Sequence, residues 1–316
     1  MRRVLPGFRE HPLVEMRWTD EARKMIHPWP GMQSPPPPPA PSLKKGATRL
    51  TRARESMRAG RPGTQAALDR WRNITGPPAE DPKAEGRVAS LLGINGVFWS
   101  PSHPATVGSD LVDHWVAHRG LAYATRALCA SHALEVTYEG KLVPNSQPDS
   151  LSMSGWKTLR AYLAVDPAYE SAREAAGEFW PDAPLGLAVA LAYAFPTAQE
   201  WVHEALERAW GQGSFPPQLC SIIASFWQAP QLERFVELPA AAAEYVPSAV
   251  DRIGPQCAPC LIGWLSCERS IPVKRVLGAT LAAIRSPEVT AFMAARLKDN
   301  PLGHIAASYL ATAQAN

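Results

Sequence analysis

The sequence predicts an all-α protein: an α-solenoid of stacked helical pairs behind a disordered N-terminal arm. Three observations carry that expectation. Proline and positive charge concentrate before residue 86, and apolar residues recur at helical spacing after residue 151. Toward the C-terminus, helices separated by proline breaks return at a spacing of about 31–32 residues, the mark of a repeat architecture.

The arm covers residues 1–85. It holds 14 of the 32 prolines, including the run Pro35 to Pro39 and Pro41, and such a run favours an extended, donor-poor backbone. Residues 1–80 carry 15 Lys and Arg against 7 Asp and Glu, a balance of +8, while the remainder balances at −5. The overall charge of +3 therefore conceals a basic arm on a mildly acidic body. The arginine-rich stretch from Lys44 to Arg61 offers only Leu50 and Met57 to bury, too little apolar surface to offset the entropy of ordering. The rest, residues 86–316, is read as one helical-repeat domain.

Residues 87–99 are apolar around a Gly-Ile-Asn-Gly break and fit a helix or a loop. Ser109 is placed to cap a helix bearing Leu111, Val112, Trp115, Val116, Ala122 and Tyr123 on one side. Leu134 to Tyr138 alternates, Glu139-Gly140 suits a turn, and Lys141 to Val143 suits a return strand, so this stretch is a hairpin or a long loop. Asp166-Pro167 opens a helix toward Trp180, and Pro184 and Pro196 bracket the next. Thr197 is the expected cap of a helix whose Trp201, Val202, Ala205, Leu206 and Ala209 share a face. Helices follow near 216–229, 230–237, 240–253, 256–266, 271–285, 287–298 and 301–314. In 271–285, Val273, Val276, Leu277, Thr280, Leu281 and Ile284 form a stripe of helical period.

The breaks Ile253-Gly254-Pro255 and Arg285-Ser286-Pro287 are alike, and the repeat carries Leu261 onto Met293 and Leu265 onto Leu297. Together with Ala279-Thr280-Leu281-Ala282-Ala283-Ile284, His304 to Leu310, Trp115 to Ala122 and Leu191 to Pro196, these segments resemble the HEAT-like repeat region of bacterial WGR/molybdate-metabolism-regulator-like proteins. The resemblance covers roughly residues 105–316 and none of the arm, and the chain shows no WGR-type segment. It implies a helical-repeat scaffold and no catalytic residues or cofactor.

Candidate chemistry is sparse. Cys257-x-x-Cys260 with Cys267 has the start of a zinc or redox spacing, but a structural zinc needs four ligands and no fourth Cys or His lies near in sequence. Cys257, Cys260, Leu261 and Trp264 fall on one side of a helix, where free cysteine packs as a small apolar residue. His114 and His118, with Asp110, share a helix face at ligand spacing. They lack the glutamate of a His-Glu-x-x-His motif, and Arg119 and Arg126 stand nearby. His203 to Glu207 starts like a zincin, with Glu207 where the second histidine belongs. Gly-x-Ser-x-Gly, Gly-x-Gly-x-x-Gly and the phosphate-binding Gly-x-x-x-x-Gly-Lys are all missing. Five unevenly spaced cysteines do not make a disulfide framework, and the N-terminus has no apolar signal core, so a cytoplasmic location is expected. The apolar run Leu185 to Phe195 is about half of what a bilayer requires and is expected as a buried helix.

Of the eleven tryptophans, Trp201, Trp227 and Trp264 lie on apolar stripes and are expected in the core. Trp18, Trp29 and Trp71 lie in the arm, where they suit short-motif binding or nucleic-acid stacking, or are remnants of a mis-called start. The functional expectation is a non-catalytic scaffold that binds another protein, with nucleic-acid association through residues 1–85 as the alternative.

Overall fold

A computed structural model describes residues 15–30, 32, 78–91, 107–132, 134–136, 142–144, 153–211, 217–235, 238 and 240–314. In chain order these form β1 (Glu15–Met16), α1 (Asp20–Arg23), α2 (Pro82–Leu91), α3 (Val107–Arg119), α4 (Leu121–His132), β2 (Leu134–Val136) and β3 (Leu142–Pro144). Then come α5 (Met153–Leu163), α6 (Tyr169–Gly177), α7 (Leu185–Ala194), α8 (Gln199–Trp210) and α9 (Ala229–Glu233). The last elements are α10 (Val246–Ile253), α11 (Ala258–Cys267), α12 (Ile271–Leu281), β4 (Ile284–Arg285), α13 (Pro287–Ala295) and α14 (Leu302–Gln314). Three 3-10 helices, Pro217–Ser225, Ala240–Tyr245 and Pro255–Cys257, are interspersed. The described chain is mostly helical, in agreement with the all-α expectation. The proline run, the arginine-rich stretch 44–61, the Gly-Ile-Asn-Gly break and Trp71 lie outside the described residues.

Two compact units share the chain: His27–Ser225, and Met1–Ile26 together with Phe226–Asn316. Neither boundary coincides with the sequence-based division at 85/86. Parts of the segment read as an arm, residues 15–30 and 78–85, carry defined structure.

In His27–Ser225, helices two places apart pack on one another: α2 on α4, α4 on α6, α3 on α5, and α5 on α7. The α2–α4 approach depends on Gly86, where a Cβ would stand 2.4 Å from the carbonyl oxygen of Ala127 and 2.7 Å from Ala130 Cβ. The chain breaks between α3 and α4 at Gly120, whose φ of 82° is a left-handed conformation that side chains disfavour. The single helix expected through this region is therefore two. Ser109 sits inside α3 rather than at its cap, and its hydroxyl donates to the Ser154 carbonyl (3.2 Å). Similarly, α6 begins a few residues after Asp166, which accepts from the Ala168 N–H (2.7 Å). At the start of α8 the cap position is Ala198, with no side-chain cap; the Thr197 hydroxyl instead meets that of Tyr169. The expected face of α8 is correct: Trp201, Val202, Ala205, Leu206 and Ala209 are all buried. β2 and β3 pair antiparallel, with Leu134 opposite Pro144 and Val136 opposite Leu142, as the hairpin reading expected, while the turn expected at Glu139-Gly140 lies outside the described residues.

Every residue of α7 is buried, as an apolar helix without a polar face requires. Its last turn receives the most unusual side chain of the unit. Arg160 of α5 is fully buried, and its hydrogen bonds go to oxygens of backbone and hydroxyl groups: Pro28 O (2.7 Å), Tyr193 O, Ala224 O (2.9 Å) and Ser225 Oγ (3.3 Å). The guanidinium also lies 4.5 Å from the centre of the Tyr193 ring. Burial lowers its pKa to about 10, so it remains a cation at neutral pH.

In the second unit, β1 pairs antiparallel with β4, Glu15 opposite Arg285 and Met16 opposite Ile284. Thr19 caps α1 by accepting from the Ala22 N–H, and Ser286 caps α13 by accepting from the Val289 N–H (both 3.2 Å). Pro247, Pro259, Pro272 and Pro287 occupy the first turns of α10, α11, α12 and α13, where a missing N–H costs nothing. Here too α12 packs on α10 and α14, and α11 on α12 and α13. The helices expected near 216–229 and 230–237 are the 3-10 helix Pro217–Ser225 and the short α9. The helix expected over 271–285 stops at Leu281, because Ile284–Arg285 is taken by the strand pairing with β1. Trp264 is buried with its indole N–H on the Phe235 carbonyl (2.7 Å), whereas Trp227 is exposed with Arg252 over its ring. Among the described residues no helix is long and apolar enough to cross a membrane.

Replacing Arg160 with Leu strips hydrogen-bond donors from several buried carbonyls, and we expect a loss of about 3 kcal/mol or more in urea unfolding. Arg160→Lys is not expected to restore it, because a single ammonium cannot reproduce the planar fork. Gly86→Val should cost about 1–3 kcal/mol in the same assay through overpacking of α2 against α4.

Candidate functional site

Among the described residues, a group of titratable side chains surrounds α3. Successive fourth residues of that helix, Asp110, His114 and His118, rise along one side, while Leu111, Val112 and Trp115 are buried. Asp110 and His114 are themselves buried, at 4% and 8% exposure, and His118 is half-buried. The two imidazoles lie side by side with ring centroids 4.6 Å apart and planes inclined at 60°.

From α2, Glu85 enters the same neighbourhood at 6% exposure. Its carboxylate accepts from the Ala79 N–H (3.1 Å) and from the indole N–H of Trp115 (3.4 Å). The segment Pro78–Ala79 is fastened from the other side, since Tyr123 donates to Ala79 O (2.6 Å) and Arg119 to Pro78 O (3.3 Å). On the α5 side, the Tyr162 hydroxyl donates to Asp113 (2.8 Å), and burial pushes its pKa up.

Burial holds the His114 pKa below its usual value, the adjacent His118 lowers it further, and Glu85 acts in the opposite sense. His114 is thus a neutral imidazole at physiological pH. Neutral imidazoles can accept protons or bind metal ions. Among the described residues, no group of three or more His, Cys, Asp or Glu is disposed to hold a metal.

The other sequence candidates are elsewhere. Cys257 is buried and Cys260 half-buried, and burial pushes their pKa values up to about 12 and about 11, so both are protonated thiols at neutral pH in the metal-free chain. Cys267 is exposed at the end of α11. His203 is exposed on α8; its neighbour Glu204 accepts from the Trp180 indole (3.1 Å). That bond belongs to a second cluster sequence reasoning did not find, in which Trp180 stacks on Trp201 (4.9 Å, 11°) and Arg173 bonds Glu200 (2.7 Å). Also unforeseen is His132, buried and accepting at Nε2 from the Trp156 indole (2.7 Å). Its partner lies 24 residues away, so no local spacing signals it.

The family described as the YehI second domain matches residues 45–224, more than half of the chain. The chain belongs to this family. The YehI second-domain match ends one residue short of the limit of the compact unit His27–Ser225, so family and structure define nearly the same C-terminal boundary. The match includes the α3 histidines and the α6–α8 aromatics, excludes the Cys257–Cys267 segment, and begins inside the stretch expected as an arm. No curated protein and no solved structure matches the chain.

His132 and His114 give the fold a defined acid dependence. Burial lowers the His132 pKa to about 3, and both rings are neutral when folded, whereas the unfolded chain takes up protons near pH 6.5. Their contribution is fully present above that pH and is lost progressively as pH falls from about 6.5 toward about 3. The urea midpoint should fall between neutrality and pH 5, and His132→Gln, which keeps an acceptor for Trp156, should flatten that slope. An unchanged slope would remove His132 from the account.

Proposed function

We propose that the chain is a non-catalytic α-solenoid of HEAT-like pairs that binds another protein. The observation carrying this reading is the packing of helices two places apart, α2–α4–α6 beside α3–α5–α7 and α10–α12–α14 beside α11–α13. Stacked pairs bury their apolar stripes against neighbouring pairs and leave one face of each layer for a partner. Resemblance of residues 105–316 to the HEAT-like repeat region supports the same reading.

The partner's chemistry follows from α6 and α8. Glu170, Glu174, Glu200, Glu204 and Glu207 on these helices are exposed, against two arginines, Arg173 and Arg208; Glu178 just beyond α6 is also exposed but is bonded by Arg126 of α4 (2.6 Å). Those arginines are already engaged by acids, Arg173 with Glu200 and Arg208 with Glu204. Such a surface suits an Arg- and Lys-rich protein segment and repels nucleic acid.

With full-length protein, a fluorescent arginine-rich peptide should bind in a salt-sensitive manner. Charge reversal by Glu174→Lys with Glu207→Lys should weaken it about tenfold or more. Equal binding by that variant would refute the assignment of the face.

The second reading, nucleic-acid association through residues 1–85, rests on the +8 charge balance of residues 1–80. Deleting the arm is a poor test, because Pro28 and β1 belong to folded units. The combined substitution of Arg49, Arg52, Arg54 and Arg58 by Gln is the better one. If the arm binds DNA, this variant should lower the salt dependence of binding by roughly one unit of log slope for each phosphate it no longer neutralises.

A further inference from the structure

We propose that His114 and His118 form a two-imidazole site for a borderline divalent transition-metal ion of the Zn2+ or Ni2+ class. Histidines four residues apart on a helix present both rings to one point, the arrangement by which helical metalloproteins supply two of their ligands. Two imidazole nitrogens at about 2.1 Å from a shared ion set their ring centroids roughly 4.5–5 Å apart. The separation here is 4.6 Å, and the 60° inclination is too large for the alternative of parallel stacking.

Three further features favour the ion. Metal binding requires the unprotonated imidazole, and burial beside a second histidine already disfavours the protonated form of His114. The buried carboxylates of Glu85 and Asp110 lie in the same neighbourhood and offset a positive charge. Arg119, the nearest cation in sequence, directs its guanidinium to the Pro78 carbonyl. Since no third His, Cys, Asp or Glu joins the pair among the described residues, water would complete the coordination. The geometry thus points to reversible binding at an open site rather than to a closed structural site.

The test is calorimetric titration of the chelator-treated full chain with ZnCl2 alone, then with NiCl2, at neutral pH. We expect one equivalent bound, weakened about tenfold or more in His118→Ala and in His114→Gln, and weakened in the wild type as pH falls below about 6.5. His118 is half-buried and its removal should leave the circular-dichroism spectrum unchanged, which keeps the result readable if His114→Gln fails to fold. Exposed or half-buried thiols are the competing site, so Cys260→Ser with Cys267→Ser is run in parallel and should bind as the wild type does. No binding by the wild type, equal binding by His118→Ala, or loss of binding only in the cysteine variant would each overturn the proposal.

Discussion

Three separate stretches of the compact unit His27–Ser225 converge on one guanidinium. Arg160 bonds the carbonyls of Tyr193 in the last turn of α7 and Ala224 near the end of the 3-10 helix Pro217–Ser225, and the carbonyl of Pro28. The first two belong to helix ends, where carbonyls lack intrahelical partners and the backbone dipole is negative. One buried cation therefore caps two helices and pins a distant segment. A charge removed from water is costly, and this one is tolerated because its donors meet oxygens already in need of donors. Tyr193 strengthens the junction by placing its ring beside the cation and its hydroxyl 2.7 Å from His27 Nδ1. Around this point the fully buried α7 ends with its Tyr193 carbonyl satisfied by Arg160 and Ser225.

The same economy explains why the polar clusters of this unit differ in what they offer. Arg160, His132 and Trp156 satisfy one another or the backbone in the dry interior, and nothing about them invites a ligand. Of the α3 histidines, His114 is buried and held below its usual pKa by that burial, while His118 is half-buried, and the Glu85 carboxylate stands near them. On α6 and α8, acidic side chains meet water and share a pair of arginines, with stacked indoles beneath them. Interior polar groups hold the unit together, and under the function proposed above the exposed ones are what a partner would meet.

Much of the helical content was legible from periodicity, because buried faces such as that of α8 and the stripe of α12 follow the 3.6-residue repeat directly. Starts and stops were less legible. Asp166, Thr197 and Ser109 all look like caps, yet Ser109 bonds across to Ser154 and Thr197 to Tyr169, because tertiary partners outcompeted the local backbone. The Gly120 break was not read because a single glycine inside an apolar pattern is ordinary, and only its positive φ distinguishes it. Trp227 carried an apolar context but ended exposed beside Arg252. For the site, the i, i+4 spacing of His114 and His118 was visible, whereas Glu85 was not, being 29 residues upstream and brought in by the α2–α4 packing.

The pairing of β1 with β4 bears on how the chain is synthesised. One compact unit is continuous, from His27 to Ser225, while the other is assembled from Met1–Ile26 and Phe226–Asn316. As the chain leaves the ribosome, the continuous unit can condense as soon as its own residues have emerged. Glu15 and Met16 must wait through some 270 intervening residues for Ile284 and Arg285, and closing so long a loop is entropically unfavourable until the segment between is compact. The folding order is thereby built into the connectivity: the continuous unit shortens the tether that the discontinuous unit has to close.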